Sequence, residues 1–140
     1  MDHETVPAPE FGRALGGITL NLLVRDVARE LAFLVPVFGF GAYRVSRDHA
    51  ILTYGAQVLQ LHADHTYHTH PLPALLPEAG PRGPGVEIRL HETDPDDAAA
   101  RAAADPAGMV LQAPTNKPHG LREAYILCPN GYVWVPSRRI

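Results

Sequence analysis

The sequence predicts an α+β fold: paired βαβββ modules forming a curved mixed sheet around a cleft, with the helices outside. Three observations predict it. The order strand, helix, three strands runs twice along the 140 residues. The spacing agrees between the copies, since Thr19 lies seven residues before Asp26 and Glu87 lies seven before Asp94. Each copy alone is too small to bury both faces of its sheet, whereas two can share a core.

The elements follow in order. Residues 1–17 read as an N-terminal arm, with Pro7, Pro9, Gly12, Gly16 and Gly17 and no apolar period. Ile18–Val24 is rich in β-formers and reads as a strand. Asp26 sits at the N-cap position, and Val27, Leu31, Leu34, Val35 and Phe38 form one apolar helix face. Pro36 is placed to kink or end that helix, and Gly39 closes it. Three strands follow at Phe40–Ser46, Ala50–Tyr54 and Gln57–His62, the last two joined by a turn at Gly55-Ala56. Module one is therefore 18–62. Residues 63–84 hold five Pro and three His without periodicity and read as a linker or a lid.

Module two, 85–138, repeats the order. Val86–His91 alternates as a strand does. Asp94 or Thr93 caps a helix that opens with Pro95 and carries Asp96 and Asp97 in its first turn. The helix stops at Asp105-Pro106-Ala107-Gly108. Strands follow at Met109–Ala113, Glu123–Cys128 and Tyr132–Pro136, with Pro129-Asn130-Gly131 as a hairpin turn.

Composition sets outer bounds. Hydrophobic residues make up 46% and charged residues 19%, enough apolar content for a real core. The net charge is −3, split −2 and −1 between residues 1–70 and 71–140. No segment is a basic block, which argues against a nucleic-acid partner. Eight His can add positive charge at mildly acidic pH. Cys128, the single cysteine, cannot form an internal disulfide and suits a reducing, cytoplasmic setting. The acidic, Pro-containing start lacks an apolar h-region, so no secretory signal is expected. No run of about 18 apolar residues exists, so no membrane partner is expected either.

The segment Val24-Arg25-Asp26-Val27, then Ala32-Phe33, then Phe38-Gly39-Phe40 resembles the opening module of the vicinal-oxygen-chelate superfamily, which contains glyoxalases, bleomycin resistance proteins and extradiol dioxygenases. Its usual form is V-x-D-hydrophobic, A-F-Y, L-G-F, and here Leu34 replaces the Tyr and Phe38 the Leu. Gly120-Leu121-Arg122-Glu123 with Pro129-Asn130-Gly131 is similar to the G-x-R-E…D-P-x-G ending of bleomycin-resistance-type members. Cys128 stands for the Asp and His119 for a frequent Trp. The resemblance covers about residues 18–138 and implies a homodimer with pockets at or near the subunit interface. It also implies four pocket-facing positions that hold metal in metal-dependent members: Thr19, Gln60, Glu87 and Val135. Of these only Glu87 is a good ligand, Gln60 has an amide oxygen, Thr19 is poor and Val135 has no donor. A catalytic metal wants about three protein ligands, so the pattern is closest to the non-metal members, with no cofactor.

Other candidates have two readings each. His62, His65, His68 and His70 form either a solvated polar loop or a metal or pH-sensitive segment, with the loop favoured. If a metal binds, the set is His62, Glu87 and His91. Glu87, Arg89 and His91 share one strand face that lines the pocket or meets solvent. Arg122-Glu123 are either a buried ion pair that fixes the strand entry or ligand contacts, with the structural role favoured because adjacent strand residues point oppositely. Asn21 shares the face of Thr19. His119, Tyr54, Tyr132 and Trp134 offer stacking surfaces, although Trp134 should pack under a helix. Cys128 has no His-Asp partner in sequence and is not read as a nucleophile.

The preferred function is non-catalytic binding of a small organic molecule, an antibiotic being one class. The ligand-binding residues are Thr19, Asn21, Tyr54, Gln60, Glu87, Arg89, His91 and His119. One alternative is a metal-dependent lyase, isomerase or dioxygenase with a displaced site. Another is an accessory or regulatory domain with a degenerate pocket.

Overall fold

The computed structural model describes residues 1–140. Module one opens with β1 (Leu20–Val24). The Asp26 carboxylate then accepts the N–H of Arg29 at 3.1 Å and caps α2 (Val27–Phe38). Pro36 does not end this helix. It removes only the bond to the carbonyl of Ala32, and both residues are exposed, so water can take that acceptor. Gly39 ends α2 in the left-handed region, φ 78°, with its N–H on Val35 O at 2.9 Å. β2 (Gly41–Tyr43), β3 (His49–Tyr54) and β4 (Gln57–Ala63) follow. The expected strand Phe40–Ser46 shortens because Arg44 adopts φ 50° and leaves the extended region.

Module two has β5 (Gly83–Leu90), α3 (Pro95–Ala103), β6 (Met109–Asn116), β7 (Leu121–Leu127) and β8 (Tyr132–Arg139). Asp94 caps α3 through the N–H of Asp96 at 3.0 Å. The orders are β1-β4-β3-β2 and β5-β8-β7-β6, the same topology twice. The first strand of each module lies parallel to its last, and the other neighbours are antiparallel. The two four-stranded sheets are not hydrogen-bonded into one.

They are joined by a shared core of 22 buried residues instead. α2 contributes Val27, Leu31, Phe33, Leu34, Val37 and Phe38, and α3 contributes Ala98, Ala99 and Ala102. Trp134 of β8 reaches across to Phe38 and Phe40 at 5.7 and 5.4 Å between ring centroids, under the helices as its strand position requires. Polar contacts reinforce this joint. Glu30 of α2 accepts from the N–H and side-chain amide of Asn130 at 2.6 and 2.7 Å. Tyr132 Oη donates to Leu23 O at 2.7 Å, and Arg101 of α3 donates to Val37 O at 2.9 Å. Gly131 makes the hairpin turn at φ 79°, where a Cβ would lie 2.3 Å from Pro81 Cα, so only glycine fits.

Two segments differ from expectation. The N-terminal arm contains α1 (Ala8–Ala14), and it buries Val6 and Phe11 against Ile51 in a small second cluster. Its apolar residues are too few to give a period, but together they cover one patch of sheet. In the expected linker, residues 64–67 and 72–75 form 3₁₀ turns, while Gly83 and Pro84 already belong to β5. Arg82 joins the two ends of this segment by two bonds to Asp64 at 2.6 and 2.7 Å and ties it to β1 through Leu23 O at 3.2 Å. No helix is long and apolar enough to cross a membrane.

Candidate ligand-binding site

Strand alternation decides what each sheet shows on the side away from the core. In β3 and β4, Ala50, Leu52, Leu59, Leu61 and Ala63 enter the core. His49, Ile51, Val58, Gln60 and His62 therefore project from the opposite face. Register sets two rows across it: Asn21, Gln60, Ile51 and Tyr43 in one, Leu23, His62 and His49 in the next. His49 Nε2 donates to Gln60 Oε1 at 2.9 Å.

α1 lies over the Ile51 end of this face, with Leu15, Tyr43 and Val58 packed around the Val6, Phe11 and Ile51 cluster. Arg44 holds the arm in place. Its Nε donates to His3 O at 3.1 Å, its Nη2 donates to Val6 O, and its backbone N–H donates to Glu4 at 3.2 Å. Between α1 and the sheet lies a cavity of about 290 Å³, lined by Ala8, Phe11, Gly12, Leu15, Arg44, His49, Ile51 and Gln60. An apolar body with a few convergent polar groups is the usual make-up of a small-molecule site.

The histidine-rich segment forms a row of rings rather than a cluster of donors. His49 and His62 lie 4.9 Å apart, Tyr67 follows at 5.3 Å from His62, and His70 stacks on Tyr67 at 4.4 Å. Burial, and secondarily the neighbouring His49, hold the His62 pKa below the usual histidine value. Its buried Nε2 has no hydrogen-bond partner. His65 pairs with Asp48 at 2.6 Å, and His68 meets the carbonyl of His65 at 2.9 Å.

The second sheet shows a different face. Arg89 of β5 bonds Glu87 at 2.8 Å and also reaches the fully buried Glu123 of β7. His119 and Tyr125 Oη approach the same carboxylate at 3.3 and 3.2 Å. Burial pushes the Glu123 pKa up, but the bonds from Arg89 and His119 outweigh it and leave the carboxyl below its ordinary range. His91 lies beyond the end of β5 and contacts Ser137 Oγ at 3.3 Å. Arg122 points the other way, with Nε and Nη2 each 2.9 Å from Asp96. Arg122 and Glu123 are therefore not an ion pair with each other but serve opposite faces, since neighbouring strand residues alternate and each finds its own partner, Asp96 and Arg89. Glu123 is the centre of the polar network and was absent from the sequence-based set.

The eight expected ligand residues therefore separate. Gln60 lines the cavity under α1. Asn21 is its exposed neighbour, and Thr19 lies exposed before β1 on a rim with Leu15, Ile18 and Val58. Glu87, Arg89, His91 and His119 belong to the second face, and the hydrogen bonds of each set stay within its own sheet. Tyr54 is on neither face. Its even position in β3 turns it toward Phe40, and its hydroxyl meets Thr93 Oγ1 at 2.8 Å and accepts Glu92 N–H at 2.9 Å, a joint between modules. The residues missed are Phe11, Arg44, His49 and Ile51. The signal for the last two was their alternation with Ala50 and Leu52, and Phe11 with Leu15 stood one helical turn apart.

The four positions that hold metal in metal-dependent members of the fold do not fit a divalent cation here. Asn21 lies opposite Gln60 and Arg89 opposite Val135, so the neighbours add an amide and a cation rather than a ligand. The displaced set also fails to assemble: His62 is on the first sheet and Glu87 and His91 on the second, and no three His, Cys, Asp or Glu side chains are placed to hold a metal ion. Cys128 is buried and its thiol is pushed up to about 12 by that burial and by Glu30, the opposite of an activated nucleophile.

No family model matches the sequence, and no curated protein does. Solved structures do. The chain is similar to a glyoxalase/bleomycin resistance protein/dioxygenase family enzyme from Burkholderia phytofirmans, at TM-score 0.68 and 20% identity over 87% of this chain and 97% of that one. It is similar to a glyoxalase-related enzyme from Fulvimarina pelagi, at 0.70 and 16% over 89% of each. A glyoxalase/bleomycin resistance protein/dioxygenase from Nocardioides gives 0.65 and 18% over 93% and 89%. At these identities the likeness is one of fold, and one fold hosts many chemistries.

Proposed function

We propose that this chain is a member of the vicinal-oxygen-chelate superfamily that binds a small organic molecule without metal-dependent catalysis. The observation that carries this is the cavity between α1 and the first sheet, where Phe11, Leu15 and Ile51 supply apolar wall and Arg44, His49 and Gln60 supply directed polar groups. A pocket of this kind works by burial and preorganisation, so a ligand is withdrawn from solution with no bond broken. Sequestration of an antibiotic is one use of such a pocket. The protein acts as a homodimer in this reading, the partner facing the polar surface of Glu87, Arg89, His91 and His119, and it resides in the cytoplasm, where Cys128 stays reduced.

Metal analysis of untagged protein purified without chelator, followed by thermal melting with Ni²⁺, Zn²⁺, Mn²⁺ or Fe²⁺ and then with a panel of organic ligands, tests it. Organic ligands are expected to raise the Tm and metals to leave it unchanged. Near-stoichiometric metal with a clear stabilisation would overturn the non-metal assignment. Sedimentation velocity checks the dimer.

A further inference from the structure

The cavity under α1 has an unbalanced charge. The other partly buried arginines each face a carboxylate: Arg82 with Asp64, Arg89 with Glu87 and Glu123, Arg122 with Asp96. Arg44 takes part in no ion pair of the chain, and no carboxylate lines the cavity. Its Nε and Nη2 are held by the main-chain carbonyls of His3 and Val6. Glu4 takes the main-chain N–H of Arg44 rather than the guanidinium. Nη1 is left as a cationic donor without a partner in the chain. The backbone of Arg44 sits at φ 50°, which side-chain-bearing residues rarely adopt, and the bonds to His3 O and Val6 O hold the guanidinium in place.

Gln60 adds to this. Its Oε1 is occupied by His49 Nε2, so the amide NH₂ is free to donate. The polar end of the cavity is thus rich in donors, and the rest is apolar.

Resting on the pocket reading above, we infer that the ligand is a compact aromatic carboxylate. Its carboxylate meets Arg44 Nη1 and the Gln60 amide, and its ring lies against the apolar wall of Ala8, Phe11 and Leu15. A charge-assisted bond to a guanidinium is stronger than a neutral one, which is what separates an acid from its own amide. The cavity of about 290 Å³ limits the body to one or two rings.

The test is NMR titration of ¹⁵N-labelled full-length protein with 1-naphthoate, 1-naphthamide and 1-naphthylmethylamine. Naphthoate is expected to bind about tenfold tighter than the amide, the amine most weakly, with shifts at the Gln60 side-chain amide and Ile51. In Arg44→Met the acid-to-amide ratio falls toward one, while Arg44→Lys retains a preference for the acid. Because Arg44 also anchors the arm, the wild-type ratio is measured at low and high salt as well, and it should shrink as salt rises. Equal or tighter binding of the amide or amine to wild type would overturn the carboxylate assignment and leave the pocket standing. No shift at the pocket with any of the three would overturn both.

Discussion

The two sheets share a topology and differ in what they do with the side facing away from the core. On the first, the central residue is Ile51, and the chain's own α1 folds over it with Phe11. On the second, the central residue is Glu123, and the face is covered only by its own ion network. An apolar centre gains by recruiting a cover, because water is released from both surfaces. A buried carboxylate needs donors and a cation, and once it has them nothing draws a segment over it. One residue type in the middle of a face thus decides whether a module recruits a cover or keeps an open polar surface.

The modules also contain one buried glutamate each, with opposite electrostatics. Glu30 is held by Asn130 through one oxygen, its other oxygen is unpartnered, and burial raises its pKa. Glu123 has Arg89 and its pKa is lowered.

The largest effect expected is on what the modules have in common. Trp134→Ala should cost about 3–5 kcal/mol, since it empties a site between both helices and both sheets. Denaturant unfolding followed by far-UV circular dichroism and by amide exchange should stay a single transition. Separate melting of the two modules would show that the core is not shared.

Next comes the network on the second face. Arg89→Met leaves Glu123 buried beside an exposed His119 and should cost about 3 kcal/mol, measured by urea unfolding at neutral pH. The two glutamates then sharpen the contrast through pH. Stability from Glu123, whose folded pKa is depressed, is present above the ordinary value of 4.5 and lost as pH falls through the folded value. Stability from Glu30, whose folded pKa is raised, is present below 4.5 and lost as pH rises through the folded value. Glu123→Gln should therefore destabilise at neutral pH, whereas Glu30→Gln, which keeps an oxygen for Asn130, should be neutral or stabilising there. The same sign for both substitutions would remove the distinction.

Phe11→Ala should cost about 2 kcal/mol and act locally. Amide exchange should quicken across α1 and at Ile51 while the second sheet stays protected. The smallest effects fall where the modules are alike: Asp26→Ala and Asp94→Ala each remove an N-cap and should each cost about 1 kcal/mol by thermal melting.

The repeated order, both caps, the Gly39 and Gly131 turns and the placement of Trp134 under a helix were all legible in the sequence. These depend on contacts within a few residues or on a period of two or 3.6, which the chain displays directly. The inward and outward faces were legible for the same reason, so Gln60, Glu87 and Arg89 were read onto the correct sides of their strands. Tertiary structure decided the rest. Whether Thr19, Asn21 and Gln60 meet Glu87 and His91 depends on how two sheets are set against a common core, and no local pattern encodes that angle. Whether Val6, Phe11 and Leu15 cover anything depends on where the arm returns, and a cover with three apolar residues has no period to read. Arg44 became a site residue only through that return, because its carbonyl partners at His3 and Val6 lie some forty positions away. The sequence by itself determined the modules and the alternation of sides along their strands. Only packing between distant segments decided which of those side chains share a cavity.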